Sequence, residues 1–265
     1  MGGGAALQMW VRGLYVARSF FPTPNHEIKP WASLGVRSVI GTALGFASSR
    51  LRHSVGVRYA APGTIMMRSD LRTNAEMRSH PRLQTRRLVL REFTREDAPE
   101  VRRLAGAREI ARMTLLIPYP YEDGMAEEWI ASLRPSYEAG EHVTFAAVLR
   151  EGGELVGSIG MNLNARDNNG ELGYWIGVPY WGCGYCTEAA REIARYGFEV
   201  LGLHRIHSNH FGSNPASGRV MQKVGMVREG TRREHYRKWG EYEDRVEYGL
   251  LVGEWRAAQG QDGPA

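Results

Sequence analysis

The sequence predicts a single α/β domain with a mixed sheet and helices on both of its faces, over roughly residues 82–257. Two patterns alternate along this stretch. In some segments apolar residues occupy every second position, as on one face of a strand, and in others they recur every three or four positions, as along one side of a helix. Glycine, proline and asparagine separate the segments, which is typical of turns. The elements therefore follow in the order β-α-α-β-β-β-α-β-α-β-β.

Local signals define the bounds of these elements. Thr94 to Asp97 resembles a capping box that starts the first helix, and Pro118 and Pro120 break the chain before the second. Gly225 is typical of the position that ends a helix. The predicted elements are, in order, a strand at 86–91, helices at 94–105 and 123–137, strands at 143–149, 155–163 and 172–176, a helix at 187–201, a strand at 205–211, a helix at 214–224, and strands at 227–236 and 245–252.

The positive charge of the chain lies outside the predicted domain. Residues 1–79 carry ten arginines and lysines against three acids, whereas residues 80–265 carry 24 against 26. The folded part has no excess of positive charge, so nucleic acid is not expected as a partner. Residues 1–79 show no sustained period, and we expect a poorly ordered extension from an upstream start; their Arg-rich composition also suits an organellar transit peptide. Residues 258–265 are expected to be a flexible tail.

Neither a membrane span nor a disulfide framework is predicted. The longest apolar stretch, residues 38–49, has twelve residues, whereas a membrane-spanning helix needs about 20. The two cysteines lie three positions apart, which indicates a reducing compartment. We therefore expect a cytoplasmic protein without a membrane partner, either a monomer or a homodimer.

The stretch from Glu171 to Ala190 predicts an anion site. It reads as a strand that ends before Pro179, a turn that contains Gly182 and Gly184, and the start of a long amphipathic helix. The glycines let the backbone turn its N–H groups outward with no Cβ in the way. The first N–H groups of a helix have no partner within the helix, and the macrodipole adds positive charge there. A phosphate or pyrophosphate is therefore the expected ligand.

Four motifs resemble those of a known family and occur in the order of that family. The loop Trp181–Ala189 is similar to the acyl-CoA-binding loop of the GNAT superfamily of N-acetyltransferases, and Asn214–Met226 is similar to its second helix motif. Arg87–Arg91 and the tail from Gly240 to Trp255 resemble the RimJ/RimL-type branch, which acetylates the N-termini of ribosomal proteins. The four motifs together are specific, whereas a lone Gly-x-Gly would be weak.

The resemblance implies a mostly antiparallel sheet that splays between the fourth and fifth strands, where the pantetheine arm of acetyl-CoA enters. Asn214 would contact this acyl donor, Ser217 would lie near its sulfur, and loop N–H groups would hold the pyrophosphate. Cys186 stands where Gly or Ala is usual, and Met221 stands where other branches have a Tyr that protonates the thiolate. The predicted coenzyme-binding residues are Ile176, Gly177, Gly182, Cys183, Gly184, Tyr185, Cys186, Thr187, Asn214 and Ser217.

Acetyl transfer needs a neutral amine, stabilisation of the tetrahedral oxyanion and a proton for the leaving thiolate. Glu171 can accept the ammonium proton if burial raises its pKa. A backbone N–H near Ile176 or Gly177 is a candidate for the oxyanion, and Ser217 and Tyr236 are candidates for proton delivery. Each residue also has an ordinary structural alternative, as a turn residue, a satisfied hydroxyl or a strand aromatic. Positioning alone can supply much of the acceleration.

Cys183 and Cys186 allow three other interpretations. With His204, His207 and His210 they imitate a zinc-finger spacing, but strand alternation places the last two histidines on opposite faces, so no metal is predicted. A thioredoxin-like pair is the second interpretation, since a helix N-terminus lowers the pKa of a thiol. An acyl-carrying Cys183 is the third, but neither His nor Asp adjoins it, which favours direct attack by the amine in a ternary complex.

The sequence leaves the acceptor open. A protein N-terminal amine is the first candidate, a small-molecule amine such as an antibiotic, a polyamine or an amino-acid analogue is the second, and a non-catalytic acyl-CoA-binding module is the third. In the family the proline-broken loop lines the acceptor groove, so Tyr119 and Tyr121, with Glu171, are predicted to contact the substrate. The basic residues from Arg228 to Arg245 predict a solvated face, with an acidic partner or ribosomal RNA as the alternative.

Overall fold

The computed structural model describes residues 79–261, and in this part of the chain eight strands form one sheet. The strands are β1 (Leu83–Gln84), β2 (Leu88–Arg91), β3 (His142–Leu149), β4 (Leu155–Asn164), β5 (Asn169–Ile176), β6 (Arg205–Phe211), β7 (Val227–Lys238) and β8 (Glu241–Leu251). Their order across the sheet is β1-β2-β3-β4-β5-β6-β8-β7. Neighbouring strands are antiparallel except β5 and β6, which are parallel. This is the mixed, mostly antiparallel sheet that the sequence predicts.

The described part of the chain also contains six α-helices. They are α1 (Ala98–Ala105), α2 (Arg108–Met113), α3 (Met125–Glu138), α4 (Tyr185–Arg195), α5 (Pro215–Val224) and α6 (Val252–Gln261). A π-turn at Tyr196–Val200 continues α4, so the predicted helix at 187–201 has two parts. Within residues 79–261, no helix combines the length and the apolar character that a membrane span requires.

Helices cover both faces of the sheet, as predicted. On one face α1, α2 and α3 bury Leu104 and Leu133 in a cluster that includes Ala146 of β3. On the other face α4 and α5 bury Ile193 and Met221 in a second cluster against the strands. A fully buried aliphatic side chain contributes about 1.5–3 kcal/mol relative to an exposed one, so both layers are held to the sheet mainly by these contacts.

The parallel pair β5–β6 is joined only at its start. The register runs from Asn169 opposite Arg205 to Glu171 opposite His207, and beyond this point the two strands separate. β6 continues instead along β8, with which it pairs over its whole length. The two strands are the fourth and fifth of the predicted order, because the sequence does not predict β1. The predicted splay therefore lies between them.

Three elements are not predicted by the sequence. β1 has two residues, which is too short for a period to be visible. α2 has six residues and lies where a connection is expected. α6 begins where the last predicted strand ends, and its apolar residues do not line up on one side. The predicted extension lies outside the described residues except for Ser79, and the predicted tail is described only as far as Gln261, within α6.

Candidate active site

A cavity of about 750 Å³ lies at the gap between β5 and β6 and is lined from both faces of the sheet. Its size is within the range of about 300–1,000 Å³ that small-molecule sites occupy. We call its two halves the α4 side and the α1 side, after the helix layer on each face. The α4 side includes Tyr174, Gly182, Gly184, Cys186, Asn214 and Ser217. The α1 side includes Trp129, His142, Asn162, Glu171, Asn209 and Tyr236.

The turn before α4 presents open backbone to the cavity. Gly182 and Gly184 have φ values of +78° and +79°, in the left-handed region that glycine adopts without strain. A Cβ at Gly182 would meet no atom within 4 Å. In the part of the chain that the structure describes, the backbone N–H groups of residues 182–187 donate no hydrogen bond to the protein. These N–H groups, which include that of Thr187, are therefore available to an anion at the positive end of the helix.

A half-buried carboxylate fixes this turn to the connection between β1 and β2. Glu188 accepts hydrogen bonds from the Thr85 hydroxyl at 2.6 Å, from the backbone N–H of Arg87 at 2.7 Å and from its guanidinium at 2.7 Å. Arg87 also donates to the carbonyl of Cys183 at 3.0 Å and lies 4.6 Å from the centre of the Tyr185 ring. Burial by itself would raise the pKa of Glu188, but these hydrogen bonds outweigh it and hold the pKa below its usual value.

The start of α5 forms the second wall of the α4 side. Asn214 caps the helix, as predicted, because its side chain accepts from the Ser217 N–H at 3.3 Å. The Ser217 hydroxyl lies 2.9 Å from the phenol oxygen of Tyr174, which also donates to the Ser217 carbonyl at 3.1 Å. Burial raises the pKa of Tyr174, so its phenol keeps the proton. Arg191 of α4 donates to the carbonyl of Lys223 at 2.9 Å and so joins the two walls.

Both cysteines of the turn are free thiols, with Cys183 exposed and Cys186 partly covered. Burial raises the pKa of the Cys186 thiol to about 12. This corrects the expectation that the helix N-terminus lowers it, because the loss of hydration disfavours the thiolate more than the helix dipole favours it. Among residues 79–261, no group of three or more His, Cys, Asp or Glu side chains is arranged to hold a metal ion.

On the α1 side, Glu171 is the one carboxylate that lines the cavity among the described residues. Its Oε1 accepts from the Asn209 amide at 2.7 Å and lies 3.7 Å from the Arg245 guanidinium. Burial raises the pKa of Glu171, and Arg245 and Asn209 offset only part of this effect. Asn209 also accepts from the Tyr236 hydroxyl at 3.4 Å. Asn209 therefore brings together two of the three predicted catalytic residues, whereas Ser217 lies with Tyr174 on the α4 side.

The end of β5 distinguishes the two predicted oxyanion donors. The N–H of Gly177 donates to the Val156 carbonyl at 2.8 Å and is not available to a ligand, which corrects the prediction for Gly177. Along an antiparallel pair, successive N–H groups point alternately toward the partner strand and away from it. Since Gly177 points toward β4, the N–H of Ile176 points away from β4, toward the gap. Ile176 also lines the cavity.

The chain between α2 and α3 lines the cavity with residues 114–117, and not with the tyrosines that follow. Tyr121 is 8% exposed and lies in the core of the α1–α3 layer, where burial raises its pKa to about 12. Tyr119 is 48% exposed, and its ring centre lies 6.0 Å from that of Trp239. Neither ring lines this cavity, and that both tyrosines contact the substrate stays a prediction.

The tip of the β7–β8 hairpin is attached to the same connecting chain. Lys238 donates to the carbonyls of Leu115 at 3.0 Å and Ile117 at 3.1 Å, and burial lowers its pKa. The ring of Trp239 contacts that of Tyr119 at a tilt of 55°. These contacts link the hairpin that carries Tyr236 to the connecting chain that also lines the α1 side of the cavity.

Several contributors to the site are not predicted by the sequence. Tyr174 alternates with apolar residues in β5, a pattern that indicates core and conceals its contact with Ser217. Asn209 lies two residues after His207, the partner of Glu171, so strand alternation together with the β5–β6 register would have found it. Met221, where other branches have a tyrosine, is 1% exposed and does not line the cavity.

Comparisons with known proteins agree with this geometry. A family model described as "Acetyltransferase (GNAT) domain" matches residues 87–227. The chain is 31% identical to the uncharacterized N-acetyltransferase YnaD of Bacillus subtilis over 173 residues, 65% of this chain and 98% of that protein. It is 31% identical to the ribosomal protein uS5-alanine N-acetyltransferase of Escherichia coli over 84 residues, 32% of this chain and 43% of that protein. The crystal structure of a GNAT-family acetyltransferase from Bacillus anthracis superposes with a TM-score of 0.58 at 25% identity, and covers 65% of this chain and 99% of that one.

Proposed function

The chain belongs to the GNAT family of acetyltransferases and is an acetyl-CoA-dependent N-acetyltransferase, and we propose that it acetylates the N-terminal amine of a protein by direct attack in a ternary complex. One observation carries the proposal: a single cavity joins the free N–H groups before α4 to the buried carboxyl of Glu171. The proposed catalytic domain is residues 82–257, with residues 1–79 as an extension. The two free thiols support a reducing compartment such as the cytoplasm.

The α4 side fits the coenzyme. Acetyl-CoA, when bound, supplies an acetyl thioester. The free N–H groups of residues 182–187 at the start of α4 suit its pyrophosphate, and the open space at Gly182 lets a ligand approach the backbone. The N–H of Ile176 points into the gap and is suited to hydrogen-bond a carbonyl oxygen there.

Glu171 suits the role of general base. The acceptor arrives as an ammonium ion and must lose a proton before its nitrogen can attack. Because burial raises the pKa of Glu171, its carboxylate takes up that proton more readily than an exposed one would. Asn209 holds the carboxylate in place, and Tyr236 in turn holds Asn209. We assign Tyr236 this positioning role.

Proton delivery to the leaving sulfur fits the Tyr174–Ser217 pair better than Tyr236. The new bond joins nitrogen to the acetyl carbon, the carbon–sulfur bond breaks, and the sulfur leaves as a thiolate that must gain a proton. Tyr174 and Ser217 share a hydrogen bond on the α4 side and are protonated there. Tyr236 contacts Asn209 on the α1 side. Met221 has no proton to give.

A protein N-terminus as acceptor is supported by the match to the uS5-alanine N-acetyltransferase. The test is thiol release from acetyl-CoA with short peptides that carry a free N-terminus, with the same peptides N-acetylated as controls, and with a panel of small amines. Release with free but not blocked peptides is the expected result. Release with small amines alone would contradict the proposed acceptor, and no release with any amine would contradict the proposed activity.

A further inference from the structure

The α1 side of the cavity indicates what the amine is attached to. Resting on the proposed function, we propose that the acceptor is a peptide N-terminus whose first residue has a large apolar side chain, such as leucine, methionine or phenylalanine. Four features of the α1 side carry this proposal: its apolar walls, its single carboxylate, its open floor and an imidazole nitrogen that lacks a partner.

The walls of the α1 side are largely apolar. Trp129 and Leu133 of α3, Ile117 of the connecting chain and Trp175 of β5 all line it. The ring of Trp129 is held edge-on by Phe93, with 4.9 Å between the ring centres. A side chain of the acceptor that enters this space loses contact with water, and apolar groups gain most from that transfer.

The charge of the α1 side suits one ammonium group and no further charge. Glu171 is the one acid among the described residues that line the cavity, and Arg245 lies 3.7 Å from it. The bases that line the cavity, Arg219 and Lys223, belong to α5 on the other side. A second ammonium group would therefore stand unpaired in an apolar space, and an acidic side chain would face Glu171, both at a cost in binding.

One glycine, Gly173, keeps the floor of this compartment open. Gly160 of β4 and Gly173 of β5 lie opposite each other. A Cβ at Gly173 would meet no protein atom within 4 Å, whereas a Cβ at Gly160 would clash with the Val143 carbonyl of β3, so Gly160 is required by the packing of the sheet. Gly173 is two positions from Glu171, so it lies on the same face at a distance of about 6.5 Å. This spacing lets a side chain rest over Gly173 while its own α-amine meets Glu171.

His142 is a further polar residue that lines the α1 side, and a rotation of its ring would bring its buried Nε2 to the first peptide bond. The register places His142 opposite Asn162, and Asn162 opposite Glu171, so the three side chains form one row on the α1 face. The Nε2 of His142 is buried and has no hydrogen-bond partner among the described residues. Burial lowers the pKa of His142, so the ring is neutral and can accept from an amide or donate to a carbonyl. A simple alkylamine would leave this nitrogen without a partner.

The first test is the rate of acetyl transfer to tetrapeptides that differ only in their first residue. We expect kcat/KM for leucine and phenylalanine to exceed that for lysine and aspartate by about 10- to 100-fold, with alanine between them. Two small amines serve as comparisons. Phenethylamine carries an apolar group and spermidine is a polyamine, and neither has a peptide bond. We expect both to react more slowly than the leucine peptide.

The other possible results would contradict different parts of the proposal. Equal rates for all first residues, or a preference for lysine, aspartate or spermidine, would overturn the apolar assignment while leaving the N-acetyltransferase activity intact. A faster reaction with phenethylamine than with the leucine peptide would overturn the peptide as the source of the amine. Binding of acetyl-CoA without transfer to any amine would contradict the proposed function instead.

A change of charge at Ser132 tests the single-carboxylate argument. Ser132 lines the cavity from α3 and is half-buried. We expect Ser132→Asp to raise kcat/KM for the lysine peptide, relative to the leucine peptide, by about tenfold, because the new carboxylate pairs with the second ammonium group. Ser132→Asn has the same shape without the charge and should leave the ratio unchanged. A ratio that Ser132→Asp does not alter, or that both variants alter equally, would contradict the argument.

Discussion

The two sides of the cavity are built from different kinds of group. The α4 side presents backbone N–H groups of consecutive residues, 182–187, oriented by two left-handed glycines. The α1 side presents side chains from β3, β5, β6, β7 and α3, which only the folded sheet brings together. A backbone site tolerates changes of side chain, whereas a side-chain site changes with a single substitution. The first suits a ligand that stays the same, here the coenzyme, and the second suits a ligand that single substitutions can redefine, here the amine.

The largest expected effect is on the α1 side, from Glu171→Gln. We expect kcat/KM at neutral pH to fall by about 100-fold, because the amide cannot accept the ammonium proton, while the Kd of CoA is unchanged. The wild-type rate should rise with pH through the raised pKa of Glu171, and the variant should lack this limb. A pH–rate profile measures the pH dependence of kcat/KM, and calorimetry measures the Kd of CoA. An unchanged profile would remove Glu171 from the chemistry.

The same variant has an expected effect on stability. A carboxyl whose pKa is raised in the folded protein holds its proton more tightly when folded, so stability is lost as pH rises through that pKa. Glutamine has no proton to lose. Glu171→Gln should therefore be at least as stable as the wild type at pH 8, in a thermal melt, although it is far less active.

The next effect is on the α4 side, from Gly184→Val. A β-branched residue at φ +79° costs about 1–2 kcal/mol and narrows the turn, so we expect the Kd of CoA to rise about tenfold or more. Gly202→Val is the matched control, because Gly202 has φ +68° and does not line the cavity. Both variants should lose thermal stability, but only Gly184→Val should weaken CoA binding. Equal loss of binding in both would mean that strain alone explains it.

A smaller effect is expected from Glu188→Gln, which weakens the attachment of the turn to the β1–β2 connection. Loss of the charged hydrogen bonds should cost about 1–2 kcal/mol of unfolding free energy and weaken CoA binding about threefold. Because the pKa of Glu188 is lowered in the folded protein, its contribution is present at neutral pH and is lost as pH falls through that lowered value. The difference between variant and wild type should therefore shrink in acid. Glu192→Gln, which breaks an ion pair with Arg195 on the same helix, should leave CoA binding unchanged.

The smallest effect is expected from Cys183→Ser combined with Cys186→Ala. Direct attack needs no enzyme-bound thioester, and burial keeps Cys186 protonated, so this double variant should retain most of its turnover. Thiol release under saturating acetyl-CoA measures it. Loss of turnover with CoA binding intact would contradict direct transfer.

The contrast between the two sides also explains which predictions could be made from the sequence. The strands and helices with a clear period, and the glycine turn with the Asn214 cap, involve neighbours in the chain, so local patterns reveal them. The contact between Glu171 and Asn209 depends on the parallel register of β5 and β6, which no local pattern defines. The prediction of Gly177 as an oxyanion donor is wrong for the same reason, because the pairing of β4 with β5 leads its N–H to donate to the Val156 carbonyl.

The acceptor residues were the least accessible to sequence reasoning. Tyr119 and Tyr121 lie on a segment that does reach the cavity, but the chain turns so that residues 114–117 face it instead. Tyr121 is drawn into the helical core, and Tyr119 packs on the hairpin tip. The direction of a side chain in an irregular segment depends on packing against distant parts of the chain, and a sequence without a period there does not encode it locally.

The assignment of CoA to the α4 side and of the amine to the α1 side is tested most directly by Gly173→Val. The new side chain fills the open floor of the α1 side without meeting a protein atom at its Cβ, and valine is well accommodated in a strand. Isothermal titration with CoA and transfer to the leucine peptide are measured on the same preparation. We predict a Kd for CoA within about twofold of the wild type and a kcat/KM for the peptide lower by about tenfold or more. Unchanged transfer, or a parallel loss of CoA binding, would contradict the assignment of the two sides.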